Sequence, residues 1–233
     1  MRHHVGDERF GGHPWLWAWE EWPKNDYLEQ VAASGPEGAV LLAEQVRERT
    51  KWPRVLFIAA LGDATGDAGI AELRKAAAET GPGTVDTRCA ALLALTRRLH
   101  ELATPHLLVG LSDRNRSVRD YPLLGLAAYG DFSAWDAVLS ELANRIKRPS
   151  KIEQHAPSEA VAVCYLIRMA DDEALAPAID LLRTAWPRIA PSIRHEIERF
   201  WPSVVPGAPI SGPDRAAARS WFVSRSHLFS ELA

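Results

Sequence analysis

Apolar positions recur along most of this chain at intervals of three and four residues, the spacing that lays side chains on one face of an α-helix. The pattern is plainest in Ala39, Leu42, Ala43 and Val46, and again in Trp135, Val138, Leu139, Leu142 and Ile146. It returns in Ile70, Leu73, Ala76 and Ala77 and in Leu175, Ile179 and Leu182. Alternation of period two, the mark of a half-buried strand, is nearly absent. The pattern predicts an all-α chain.

Between these stretches lies a second kind of helix with a repeated spelling. Arg54 is followed by Ala60 and Leu61, Arg88 by Ala94 and Leu95, and Arg119 by Gly125 and Leu126, so a small residue and a leucine stand at the same offsets each time. The segment Glu159 to Leu166 keeps the leucine and replaces the arginine, while Arg194 to Trp201 keeps the arginine and ends in tryptophan. Successive starts are 34, 31, 40 and 35 residues apart, within the period range of helix-pair repeats. One pair cannot bury its apolar stripe alone, whereas stacked pairs share a continuous core. The expectation is an α-solenoid of about five antiparallel helix pairs over 36–205, capped at both ends, with 1–233 forming a single domain. A tryptophan-rich cap would occupy 1–33, and a linker and capping helix 207–233.

Punctuation falls between the expected helices. Thr104 precedes Pro105 as a cap would, Ser133 precedes Asp136 in a capping-box arrangement, and Pro53 and Pro191 open second helices. Pro122 falls inside a second helix, close enough to its start to predict a mild kink. The small residue at Ala60, Ala94 and Gly125 is expected to let adjacent helices approach closely.

The run from Leu107 to Asp131, with Asp113 at a turn and Val118-Arg119 opening the second helix, resembles a HEAT repeat. Val85-Asp86-Thr87-Arg88 occupies the matching place one unit earlier. The resemblance implies a HEAT-like solenoid in which Arg54, Arg88 and Arg119 pair with turn acids as a structural ladder, Asp113 and Asp86 being the available partners. It implies architecture and no particular function.

Composition narrows the classes. At 47% apolar over 233 residues the chain can bury a sizeable core. A net charge of −3 does not make the electropositive surface that phosphate backbones select, so nucleic acid is not the expected partner. Arginine outnumbers lysine 22 to 5, as in coding from a GC-rich, bacterial-type genome. Cys89 and Cys164 sit in apolar helical segments and read as buried free thiols, which suits a reducing compartment. No apolar run approaches a membrane span and no secretory core opens the chain, so a cytoplasmic protein with no membrane role is expected.

Candidate chemistry is sparse. No phosphate-binding loop, dinucleotide fingerprint or nucleophile elbow occurs. His100-Glu101 and His195-Glu196 are like the dyads of HEAT-like metal hydroxylases, but two dyads in unlike repeats do not make a ligand set, and no metal or cofactor is expected. DNA-alkylation-repair glycosylases of HEAT-like build use a tryptophan and an acid, which would cast Trp135 and Asp136 in those roles beside basic residues that include Arg145. A small-molecule or chromophore-handling solenoid is a further alternative. The favoured reading is a non-enzymatic scaffold, monomeric or weakly oligomeric, presenting a curved helical surface to a protein or peptide. Its contact residues are expected on exposed positions of second helices and on the insertion at 148–157, namely Asp120, Tyr121, His155, Glu159, Glu198 and Arg199. Phe10, Trp15, Trp17, Trp19 and Trp22 form an aromatic N-terminal cluster, either a cap or a binding surface.

Overall fold

In the computed structural model, which describes residues 26–148 and 157–225, every regular element is helical, and no strand occurs among the described residues. The helices are α1 (Asp26–Ala33), α2 (Pro36–Glu48), α3 (Lys51–Leu61), α4 (Ile70–Ala77), α5 (Val85–Leu99), α6 (Thr104–Leu111) and α7 (Arg116–Tyr129). They continue as α8 (Trp135–Lys147), α9 (Ser158–Met169), α10 (Ala176–Ala185), α11 (Pro191–Phe200) and α12 (Arg215–Arg225). None of the described helices is long and apolar enough to cross a membrane. The chain divides into two compact units after Gly125, within α7. The tryptophan-rich segment and His155 lie outside the described residues, as does the insertion between Arg148 and Pro157.

In the first unit α2 packs on α3 and α4 on α5, while α2 also meets α4 and α3 meets α5. Leu42, Val46, Ile58, Leu61, Leu73, Leu92 and Leu95 fill its core. The small residue of the repeated spelling has a steric cause at Gly125. A Cβ there would lie 2.5 Å from the Thr96 hydroxyl and 2.9 Å from a Leu107 methyl. Gly110 does the same for α6, where a Cβ would meet the Pro122 ring at 2.7 Å. Pro122 therefore has a packing partner, and α7 runs unbroken through it.

In the second unit α9 is the central element, packed against α8, α11 and α12, with α10 against α8. Its sequence from Ala160 to Ile167 has no polar face, and Ser158 through Ile167 are all buried. That is the behaviour of a helix apolar all round. Phe200, Trp201 and Val204 close the core where α11 ends. Cys89 and Cys164, one in each unit, are free and buried.

Helix entry differs from the expected capping in two places. Asp131, not Ser133, caps the short turn before α8, its carboxylate accepting the Ser133 N–H at 2.8 Å. Thr104 gives no cap bond, because α6 follows directly from a 3₁₀ turn over His100–Ala103.

Candidate functional site

The repeated arginines of the first unit share one geometry. Arg54 Nε donates to the Val46 carbonyl at 2.8 Å and its Nη1 lies 2.5 Å from a Glu79 carboxylate oxygen. Arg88 Nη1 donates to the Glu79 carbonyl at 3.1 Å while its Nε faces Asp113 Oδ2 at 3.2 Å. Arg119 Nη1 donates to the Asp113 carbonyl at 2.8 Å. Each guanidinium thus holds a carbonyl near the end of its own first helix, and Arg54 and Arg88 also take an acid from the next repeat. The acid opposite Arg54 is Glu79 rather than Asp86. Asp86 sits in the first turn of α5, where the helix N-terminus favours a negative charge, and Glu79 follows the end of α4. Asp113 also orders its own turn, Oδ1 accepting the Asn115 N–H at 2.7 Å.

Arginines absent from the repeated spelling do a second job. Arg98 donates to the Leu61 carbonyl at 2.8 Å and reaches Gly66 O, Arg168 donates to Leu126 O and Gly130 O at 2.7 Å each, and Arg215 reaches Ile167 O. Apart from Gly66 in the loop after α3, these carbonyls lie at or near helix C-terminal ends, which lack intrahelical donors and carry partial negative charge. Burial lowers the pKa of Arg98, and neighbouring Asp67 opposes that shift.

Three of the expected contact residues are corrected by burial. Asp120 is 4% exposed, Tyr121 1% and Glu159 1%, so none presents a surface to a partner. The reason is that α7 and α9 are enclosed on nearly all sides, leaving no outward face at these positions. Burial, then Cys89, Asp120 and Asp86, holds the Tyr121 phenol well above its ordinary pKa. Glu198 and Arg199 are exposed on α11, as expected. Trp135 is half-buried and stacks on exposed Phe132, with ring centroids 5.6 Å apart, while Asp136 is exposed. Arg145 is not available to a phosphate, because it is buried and pairs with Glu141 on its own helix at 2.8 Å.

Arg199 borders a cleft of about 290 Å³ between α11 and α12. Its walls follow helical spacing: Arg199 and Phe200 are neighbours on α11, and Ala217, Ser220, Trp221, Ser224 and Arg225 form one stripe of α12. Phe200 and Trp221 make the apolar floor, their rings 5.7 Å apart and tilted by 53°. Glu196 is held between the helices, Oε2 accepting the Trp221 indole N–H at 2.8 Å and Oε1 accepting from Arg225 Nη2 at 2.6 Å. Arg199 stands 3.6 Å from the same carboxylate with 63% of its side chain exposed. One carboxylate therefore faces two guanidinium groups.

Comparison with family models, with curated proteins and with solved structures gave no match. The cleft's own chemistry carries the functional reading. Sequence reasoning found Arg199 but missed Glu196, considered only as half of a His-Glu pair. The available signal was the α12 stripe, in which Ser220, Ser224 and Arg225 fall on the face of Trp221.

Proposed function

We propose that this chain is a non-enzymatic binding protein of HEAT-like build, about five helix pairs presenting a helical surface to a protein or peptide partner. Support for the build comes from the first unit, where first helices meet first helices, second helices meet second, and arginines of one repeat reach acids of the next. The observation that carries the function is the α11–α12 cleft, with an aromatic floor and an exposed, incompletely neutralised Arg199 at its rim. Aromatic and arginine side chains are those that dominate protein contacts. The cleft is at the small end for ligand pockets, so it suits a side-chain-sized anchor rather than a large cofactor.

The test is an affinity capture from the native host in parallel with Arg199→Glu, a change on an exposed side chain that leaves the fold intact. A partner retained by the parent and lost by the variant supports the reading. Capture of nothing, or equal capture by both, removes it.

A second reading, a DNA-alkylation-repair glycosylase, draws on the Phe132–Trp135 stack, which leaves an aromatic surface beside exposed Asp136. It requires base release from alkylated duplex DNA that disappears in Trp135→Ala and Asp136→Asn. Absence of release across lesion types removes it.

A further inference from the structure

We infer that Arg74 and His106 form a proton-released latch between α4 and α6, closed while the imidazole is neutral and opened by acid. The latch is independent of the α11–α12 cleft.

Position sets up the pair. Arg74 lies in the last turn of α4 and His106 in the first turn of α6, so the contact ties the end of one helix to the start of the other. Arg74 Nε donates to His106 Nε2 at 3.0 Å. A ring nitrogen accepts only when it carries no proton, so the contact requires a neutral imidazole with its hydrogen on Nδ1. Protonation removes the acceptor and sets two cations face to face. The N-terminal end of α6 adds partial positive charge, which also disfavours a cation there. Burial, then Arg74, accordingly lowers the His106 pKa from its ordinary 6.5.

The surroundings do not offset this. Leu102 and Val109, one turn to either side of His106, are exposed and apolar. The other charged groups of α4 are Glu72, which faces Arg47 at 3.5 Å, and Lys75. Asp86, Arg88, Arg97 and Arg98 lie on α5, His100 and Glu101 on the 3₁₀ turn before α6, and Arg116, Arg119 and Asp120 on α7. Among all of these described groups, Arg74 is the one whose charge shifts His106.

The far end of α6 is tied separately, by the Arg88–Asp113 pair at 3.2 Å, which contains no imidazole. Acid therefore frees the start of α6 and leaves its end held. A hinge lies at the freed end. The 3₁₀ turn that leads into α6 opens at His100, whose φ of 48° is the one left-handed value at a non-glycine among the described residues.

The experiment is a pH titration of the full chain, labelled with carbon-13 and nitrogen-15, from about pH 8 to about pH 5, the range in which imidazole titrates. The His106 ring resonances are assigned by their loss in His106→Gln, and amide exchange is measured at both ends of the range as protection relative to an unstructured chain. His106 is expected to titrate below 6.5, and to move upward in Arg74→Gln. Protection in the first half of α6 is expected to fall about threefold or more in acid, the size of one hydrogen bond. The Asn115 amide, bonded to Asp113, is expected to keep its protection. His106→Gln offers Arg74 an amide oxygen that does not titrate, and should abolish the acid response of α6.

A His106 titration at or above 6.5, one unmoved by Arg74→Gln, or α6 protection equal at both ends of the range overturns the latch. So does an equal loss of protection in the parent and in His106→Gln, or a loss shared by Asn115, since either assigns the acid response to something wider than this contact.

Discussion

The two units use arginine differently. In the first, Arg54 and Arg88 face Glu79 and Asp113, acids that recur with the repeat. In the second, Arg168 donates to the Leu126 and Gly130 carbonyls, Arg183 donates to Ser203 O and Ala208 O at 2.8 Å each, and Arg215 adds exposed Asp172 at 2.6 Å. Periodic pairing suits identical neighbours. Where the second unit departs from the repeated spelling, Arg168 and Arg183 instead satisfy the helix-end or loop carbonyls within reach. The second unit also contains the buried Glu141–Arg145 pair within α8, a one-helix interaction that owes nothing to repetition. The difference separates a unit held by a pattern from one held by particular contacts.

Variants can break or sharpen this contrast, and the largest effect is expected in the second unit. Glu141→Ala leaves buried Arg145 without its facing carboxylate and should cost about 4 kcal/mol in urea unfolding. A neutral result would show that the pair does not hold α8. In the first unit Gly125→Leu forces a side chain against Thr96 and Leu107 and should cost about 3 kcal/mol. Arg88→Ala removes both the Glu79 carbonyl bond and the Asp113 contact, for about 2 kcal/mol. A double-mutant cycle with Asp113→Ala should return about 1 kcal/mol of coupling, since both side chains are mostly buried. The same cycle on Arg215 and Asp172 should return less, because both are substantially exposed.

The smallest effect is in pH dependence. Burial pushes both thiols well above their ordinary range, and Asp86, Asp120 and Asp113 add to the shift at Cys89 against the opposing Arg88. A folded pKa above the unfolded value means that the unfolded chain releases its protons first. Stability is therefore unaffected below the unfolded thiol pKa of about 8.5 and falls as pH rises beyond it. Urea midpoints measured from neutral to alkaline pH should decline, and the slope should flatten in the Cys89→Ala, Cys164→Ala double variant. An unchanged slope would assign the decline to other groups.

Helix content was legible in the three- and four-residue apolar spacing, and the repeated arginine was legible through its fixed offset to a small residue. Gly125 shows why: helix contact leaves no room for a Cβ, so the spelling records a distance. Arg88 and Asp113 were both nameable in advance and stand 3.2 Å apart. Glu79 was not, because it lies two residues past α4 in a turn where sequence does not fix direction. Asp120, Tyr121 and Glu159 were expected outside because polar residues usually are. Their helices gave the contrary signal: Leu123 to Ala128 and Ala160 to Ile167 have no polar side to turn toward water. The cleft was half legible. Arg199 stands out on α11, but its partners Trp221 and Arg225 lie more than twenty residues downstream, and only the packing of α11 on α12 brings them together.

The two acid rungs of the first unit have the same reach along the chain: Arg54 to Glu79 and Arg88 to Asp113 each span 25 residues. During synthesis, each arginine therefore leaves the ribosome a fixed length ahead of its acid, and no rung waits for a distant part of the protein. Closing loops of that size costs little more entropy for the second than for the first. The first unit has the contact pattern of a chain that can assemble in order as it emerges, one repeat locking its predecessor.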